Sequence, residues 1–155
     1  MSDEQSIELT LEQVNDYEFR LRFDDTDAPD LLTDEPPPLG HGVGPNPSRL
    51  LLAAVANCLS ASLLFSLRKF KNDAGQLAAH ARATLARNEH GGLRVKRIEV
   101  ELAMGAAAGS LEHLPRLLAQ FEDFCVVTES VRQGIEVQVS VRDGSGALLH
   151  PASVG

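Results

Sequence analysis

The segment GPNPSRLLLAAVANCLSASLLFS, from Gly44 to Ser66, constrains the fold more than any other stretch of the chain. Asn46 followed by Pro47 is a strong helix start, because the asparagine side chain caps free backbone N–H groups and proline is tolerated at the first helical position. The pattern predicts a helix running to about Phe70 that is apolar on every side through its middle. A helix without a polar stripe has to be surrounded by protein, so the rest of the fold must be arranged around this one. As a membrane span, Leu50 to Ser66 is shorter than the ~20 apolar residues a bilayer needs, and it includes Asn57, Ser60, Ser62 and Ser66. A buried central helix is the expectation, with no membrane partner.

Upstream, SIELTLEQ and YEFRLRFDD alternate in polarity, the second with Phe19, Leu21 and Phe23 on one face and Arg20 and Arg22 on the other. With VND as the turn between them, they read as a hairpin with one dry face. DLLT is a third short strand, and DEPPPLGHGVGPNP holds so much proline and glycine that it must be loop, long enough to suspect a purpose. Downstream, QLAAHARATLARNE and LRVKRIEVELAM flank HGG and predict a long antiparallel hairpin, with Val95, Ile98, Val100 and Leu102 alternating across a bulge. LEHLPRLLAQFEDF predicts a second helix of about three turns, with Pro115 in its first turn and its end near Cys125. Thr128 is the expected cap of one further short turn and Gly134 its stop, followed by a last strand through Ile135, Val137, Val139 and Val141. No βαβ rhythm and no repeat is present, which indicates α+β with antiparallel sheets.

A chain of 155 residues fits one domain and buries roughly 70% of its unfolded surface. The expected division is N-terminal strands and loop over 1–38, helix, hairpin, helix and strand over 39–142, and a loose tail over 143–155. The 14 basic and 22 acidic side chains leave a net charge of −8, which repels phosphate backbones, so no nucleic-acid partner is expected. The start, MSDEQSIELT, lacks the basic and apolar regions of an export signal, and the cytoplasm is the expected location.

Two cysteines in a reducing compartment stay thiols, so a transient catalytic disulfide is of more interest than a permanent staple. Cys58 lies three turns into the helix, where the helix dipole has faded and burial raises a thiol pKa, so locally it reads as a packing residue unless a distant group brings positive charge. Cys125 sits at a junction between helices but among Phe121, Phe124, Val126 and Val127, so it too reads as filler or as reagent. The five histidines show no metal spacing, and no phosphate loop or nucleophile elbow is present, so neither metal nor cofactor is expected.

Taken together, GxNPxxLLLAAxAxC and, beginning 67 residues after the first cysteine (125 − 58), CxVTxxxxxGIEVxVxV preceded by Phe124 resemble the OsmC/Ohr family over about Gly40 to Val141. The resemblance implies an OsmC-like fold, an intertwined homodimer whose central helices lie between antiparallel sheets, and active sites at the interface. It also implies thiol peroxidase chemistry. Cys58 as thiolate attacks an organic or fatty-acid hydroperoxide and becomes a sulfenic acid, Cys125 condenses with it to a disulfide, and a dithiol reductant of lipoyl type restores the pair. The family holds its thiolate with an arginine and with a glutamate directly after Asn-Pro. Here that position is Ser48, and PPPLG occupies the place where some members carry the arginine. Arg20 and Arg22 are the upstream cations left for the role, and Glu129 is the substitute carboxylate, although it also reads as an ordinary first-turn acid. The alternative is a non-enzymatic dimer of the same family that binds a small apolar molecule or senses oxidation.

Overall fold

The computed structural model of the chain describes residues 3–134, 141–142 and 148–150. In chain order the elements are β1 (Leu9–Asn15), β2 (Glu18–Phe23), β3 (Leu31–Thr33), α1 (Pro47–Lys69), β4 (Leu77–Arg87), β5 (Leu93–Met104), α2 (Leu114–Gln120), α3 (Val126–Gln133), β6 (Val141–Arg142) and β7 (Leu148–His150). This is the α+β order expected, with antiparallel pairing. The chain forms two compact units, one comprising Met1–Ala56 and Ala79–Glu101, the other Asn57–Ala78 and Leu102–Gly155. No linker divides them, because the boundary falls inside α1 and inside the β4–β5 hairpin.

In the first unit β1, β2 and β3 form a three-stranded sheet with β2 in the middle. The turn overlaps the end of the VND segment, at Asp16 and Tyr17, with Asp16 in the left-handed region (φ 48°) and an irregularity between Gln13 and Asn15. The alternation places its residues as expected: Leu21 is buried, Phe19 and Phe23 are half-buried, and Arg20 and Arg22 are exposed. The loop that follows is fixed by Asp34, whose carboxylate accepts backbone N–H groups from Glu35 (2.8 Å), His41 (2.9 Å) and Val43 (3.2 Å). Gly40 is required there, since a Cβ would collide with the Asp34 carboxylate and the Glu35 carbonyl. Asn46 caps α1 as predicted, its Oδ1 accepting the Arg49 N–H at 3.1 Å.

In the second unit Leu63 and Leu67 of α1 form the core with Ala74 and Leu117, flanked by Phe70, Leu77, Leu102, Met104, Leu111 and Phe121. The helix as formed has 23 residues and is, by length and composition, long enough to cross a bilayer, so the length argument made for Leu50 to Ser66 does not hold. Packing takes its place: Leu67 is 0% exposed inside this core. The surround is incomplete within one chain, however, because only 33% of the most apolar stretch of α1 is buried and Phe65 is 58% exposed.

Pro115 lies in the first turn of α2, and the helical path continues as a 3-10 turn over Phe121–Phe124. Gly134 ends α3 with φ 78°, as anticipated. The strand expected from Ile135 onward falls on 135–140, outside the described residues, except for Val141. The tail after it is not uniformly loose as expected: β7 pairs antiparallel with β6, Val141 opposite His150, because the backbone donors and acceptors of two adjacent extended segments satisfy each other.

Candidate active site

Cys58 stands on α1 and Cys125 immediately before α3, both in the second unit and both free thiols. Cys125 is 0% exposed, whereas Cys58 is half-buried and lines an open cavity of about 380 Å³ with Ala61, Ser62, Phe65 and Phe124. Positions 58, 61, 62 and 65 recur at helical spacing, so a single face of α1 supplies the floor. Phe65 and Phe124 meet edge to face with ring centroids 5.8 Å apart, and the Lys69 ammonium lies 5.9 Å from the Phe124 centroid.

The cap of α3 differs from expectation. The backbone leaves the helical region at Cys125 (φ −88°, ψ 92°), so Cys125 is the cap, and its Sγ accepts the Thr128 N–H at 3.4 Å. Thr128 is the third residue of the helix, buried, with its Oγ1 2.9 Å from the same sulfur. The CxxT spacing therefore returns the threonine to the cysteine by one helical turn.

The two thiols stand close enough to influence each other's ionisation, Cys58 upward and Cys125 downward. Burial pushes the Cys58 thiol up and Cys125 adds to the rise, opposed by the N–H groups of Val127 and Val126. Burial acts on Cys125 in the same direction but is outweighed by Cys58 and by hydrogen bonds from the Thr128 hydroxyl and N–H and from Ser62, so the Cys125 thiol is lowered. Sequence reasoning identified both cysteines but missed Ser62 and Thr128 as their partners. The signal for Ser62 was available, since it lies one helical turn after Cys58.

The remaining expected residues are engaged elsewhere. Arg22 pairs with Asp24 at 3.5 Å and Arg20 stands opposite Glu12 across the β1–β2 ladder, both within the first unit. Glu129 pairs with Arg132 at 3.2 Å, and Arg132 also binds Glu122. Ser48 and Arg49, in the first turn of α1, line a separate cavity of about 250 Å³ with Arg82 and Leu85.

Two free thiols, one of them lining an apolar cavity, are thus carried on an α+β scaffold. The chain belongs to the OsmC-like family: the model of the family described as OsmC-like protein matches residues 40–140. Its fold is similar to an OsmC-like protein of unknown function from Vibrio cholerae (TM-score 0.67, 14% identity, 81% of this chain and 93% of that one). It is also similar to an organic hydroperoxide resistance protein OsmC from Legionella pneumophila (TM-score 0.65, 14% identity, 84% and 92%). A third likeness is to the organic hydroperoxide resistance protein OhrB of Bacillus subtilis (TM-score 0.58, 19% identity, 85% and 94%). No curated protein matches the chain in sequence.

Proposed function

We propose that the protein is a thiol-dependent peroxidase that reduces organic or fatty-acid hydroperoxides, acting as a homodimer in the cytoplasm. The observation that carries this reading is the pair of free, mutually influencing thiols, one of them lining an apolar cavity. Membership of the OsmC-like family and the hydroperoxide-resistance names of two distant structural relatives support a redox stress role. The Cys58 sulfur attacks the distal peroxide oxygen, the O–O bond breaks, the alcohol leaves and Cys58 carries the sulfenic acid. Cys125 then attacks that sulfur, water leaves, and the resulting Cys58–Cys125 disulfide is reduced by exchange with a dithiol of lipoyl type. Cumene or linoleic hydroperoxide supplied with dihydrolipoamide is expected to be consumed, with Cys58→Ser abolishing consumption. Consumption that survives in Cys58→Ser refutes the reading.

A second reading is favoured by the raised Cys58 thiol and by Ser48 in the place of the family's carboxylate. Under it the dimer binds a small apolar molecule in the cavity, or registers oxidation through the disulfide, without turnover. Sulfenic acid trapping at Cys58 under a pulse of hydroperoxide separates the two, since rapid trapping followed by multiple turnovers excludes a binding-only protein.

A further inference from the structure

The cavity beside Cys58 is one end of a longer row on α1. Cys58, Ala61, Ser62 and Phe65 line it, with Phe124 beside them, and the same helical spacing continues to Lys69, the last residue of the helix. From Cys58 to Lys69 is 11 residues (69 − 58), about three turns, so the two stand on one face of α1. The helix rises roughly 16 Å between them. The Lys69 ammonium lies over the Phe124 ring, 5.9 Å from its centroid, and that ring meets Phe65 edge to face. The row therefore runs from a thiol, past a pair of aromatic rings, to a cation, and all of these residues belong to the second unit.

We propose that this row is a track for a long-chain acyl hydroperoxide bearing a free carboxylate, and that Lys69 is its specificity-determining residue, the ammonium receiving the carboxylate while the peroxide group reaches Cys58. Charge, surface and length each support this. A chain with a net charge of −8 repels an organic anion in general, so a fatty-acid anion is held only where a cation is presented to it. Phe65 and Phe124 are 58% and 47% exposed, and an acyl chain laid along them removes apolar area from water. The span from Cys58 to Lys69 suits a long chain, whereas a compact hydroperoxide such as cumene hydroperoxide fills the cavity without reaching the lysine. The lysine is built for such a role, since its methylene stem packs along the apolar row while the head group stays exposed. Glu122, two residues before Phe124, does not compete for it, because its carboxylate is held by Arg132. An exposed ion pair is weak, so Lys69 contributes a preference among substrates rather than tight binding.

The same lysine also reads as an ordinary last-turn base that complements the helix dipole, together with Arg68. Arg68 separates the two readings. It is exposed and carries the same charge in the same turn, but at ten residues from Cys58 (68 − 58) it stands well off the row.

The inference rests on the peroxidase reading for its reaction but not for its binding, and the experiment uses both. Initial rates with linoleic hydroperoxide and with its methyl ester give the preference for acid over ester as a ratio of kcat/KM. Each ratio is taken within one variant, so any loss of folded protein cancels. Lys69→Met is expected to lower the ratio about fivefold, through the KM for the acid, and Lys69→Arg to keep it. Arg68→Met is expected to leave the ratio at its wild-type value. A ratio unchanged in Lys69→Met, or lowered equally in Arg68→Met, overturns the proposal. So does a shift of Lys69→Met toward monomer in sedimentation with the ratio intact, since the lysine would then serve the contact between copies. Calorimetric titration of the reduced protein with linoleate and with methyl linoleate repeats the comparison without turnover. Linoleate is expected to bind more tightly, and Lys69→Met to remove the difference. If that difference is found while no hydroperoxide is consumed, the peroxidase reading falls and the track stands. If hydroperoxide is consumed with no preference that depends on Lys69, the track falls and the peroxidase reading stands.

Discussion

Asp34 shows how one residue can govern a loop that carries almost no secondary structure. Its buried carboxylate gathers N–H groups from both ends of the proline-rich stretch, and the backbone adds Gly42 N–H to the Glu35 carbonyl at 3.1 Å. The loop in turn delivers Asn46, whose Nδ2 reaches Glu35 at 3.4 Å while its Oδ1 caps α1. Burial on its own raises the Asp34 carboxyl, but the N–H groups of His41, Val43, Glu35 and Gly42 outweigh it and hold the group below its ordinary value. A carboxyl lowered by folding contributes stability that is fully present above the unfolded value and is lost as pH falls through the folded one. Asp34→Asn replaces one accepting oxygen by a donor that faces backbone donors. It is therefore expected to lower the melting temperature at neutral pH, with the gap to wild type narrowing as the pH is taken below the ordinary carboxylate range. Melting curves recorded at several pH values check this, and a gap that does not depend on pH counts against it.

At the scale of elements, α1 starts at the Asn46 cap and carries both Cys58 and the core residues Leu63 and Leu67. Leu67 is fully buried against Leu63, Ala74 and Leu117. Leu67→Ala leaves a cavity there and is expected to cost about 2–5 kcal/mol in urea unfolding. Much of this element structure was legible in the sequence, because its signals are local. Asn46 and Pro47 start α1, Gly134 stops α3, and Val95, Ile98, Val100 and Leu102 are, with Met104, the half-buried positions of β5, with a break in the alternation before Ile98. What was not legible depends on contacts between elements or on one residue of register. Thr128 looks like a cap by type, yet the dihedrals turn at Cys125, three residues earlier, so the sulfur rather than the hydroxyl closes the helix. The groups that surround the Cys125 sulfur were hidden for the same reason. Viewed alone, Cys58 has an apolar neighbourhood, and only the α3 N-terminus changes what its environment can do.

On the scale of the whole molecule, the unresolved burden of the sequence is the apolar surface of α1. An all-apolar helix calls for protein on every side, but within one chain Leu51 and Phe65 remain exposed, and so do Leu9, Leu11 and Val14 on β1. Covering such residues with a second copy removes apolar area from water at about 25 cal/mol per Å². A dimer is therefore expected in solution, and sedimentation at micromolar concentration should find it. Each copy carries a net charge of −8, so association has to overcome mutual repulsion that salt screens. If apolar burial drives the dimer, raising the ionic strength will tighten it, whereas a dimer held by ion pairs loosens. Placing a carboxylate on α1 by Leu51→Glu is expected to shift the population toward monomer, because it adds charge where apolar contact is needed. Sedimentation that finds only monomer across the concentration range, or a dimer indifferent to Leu51→Glu, would mean that this face of α1 is not what joins the copies.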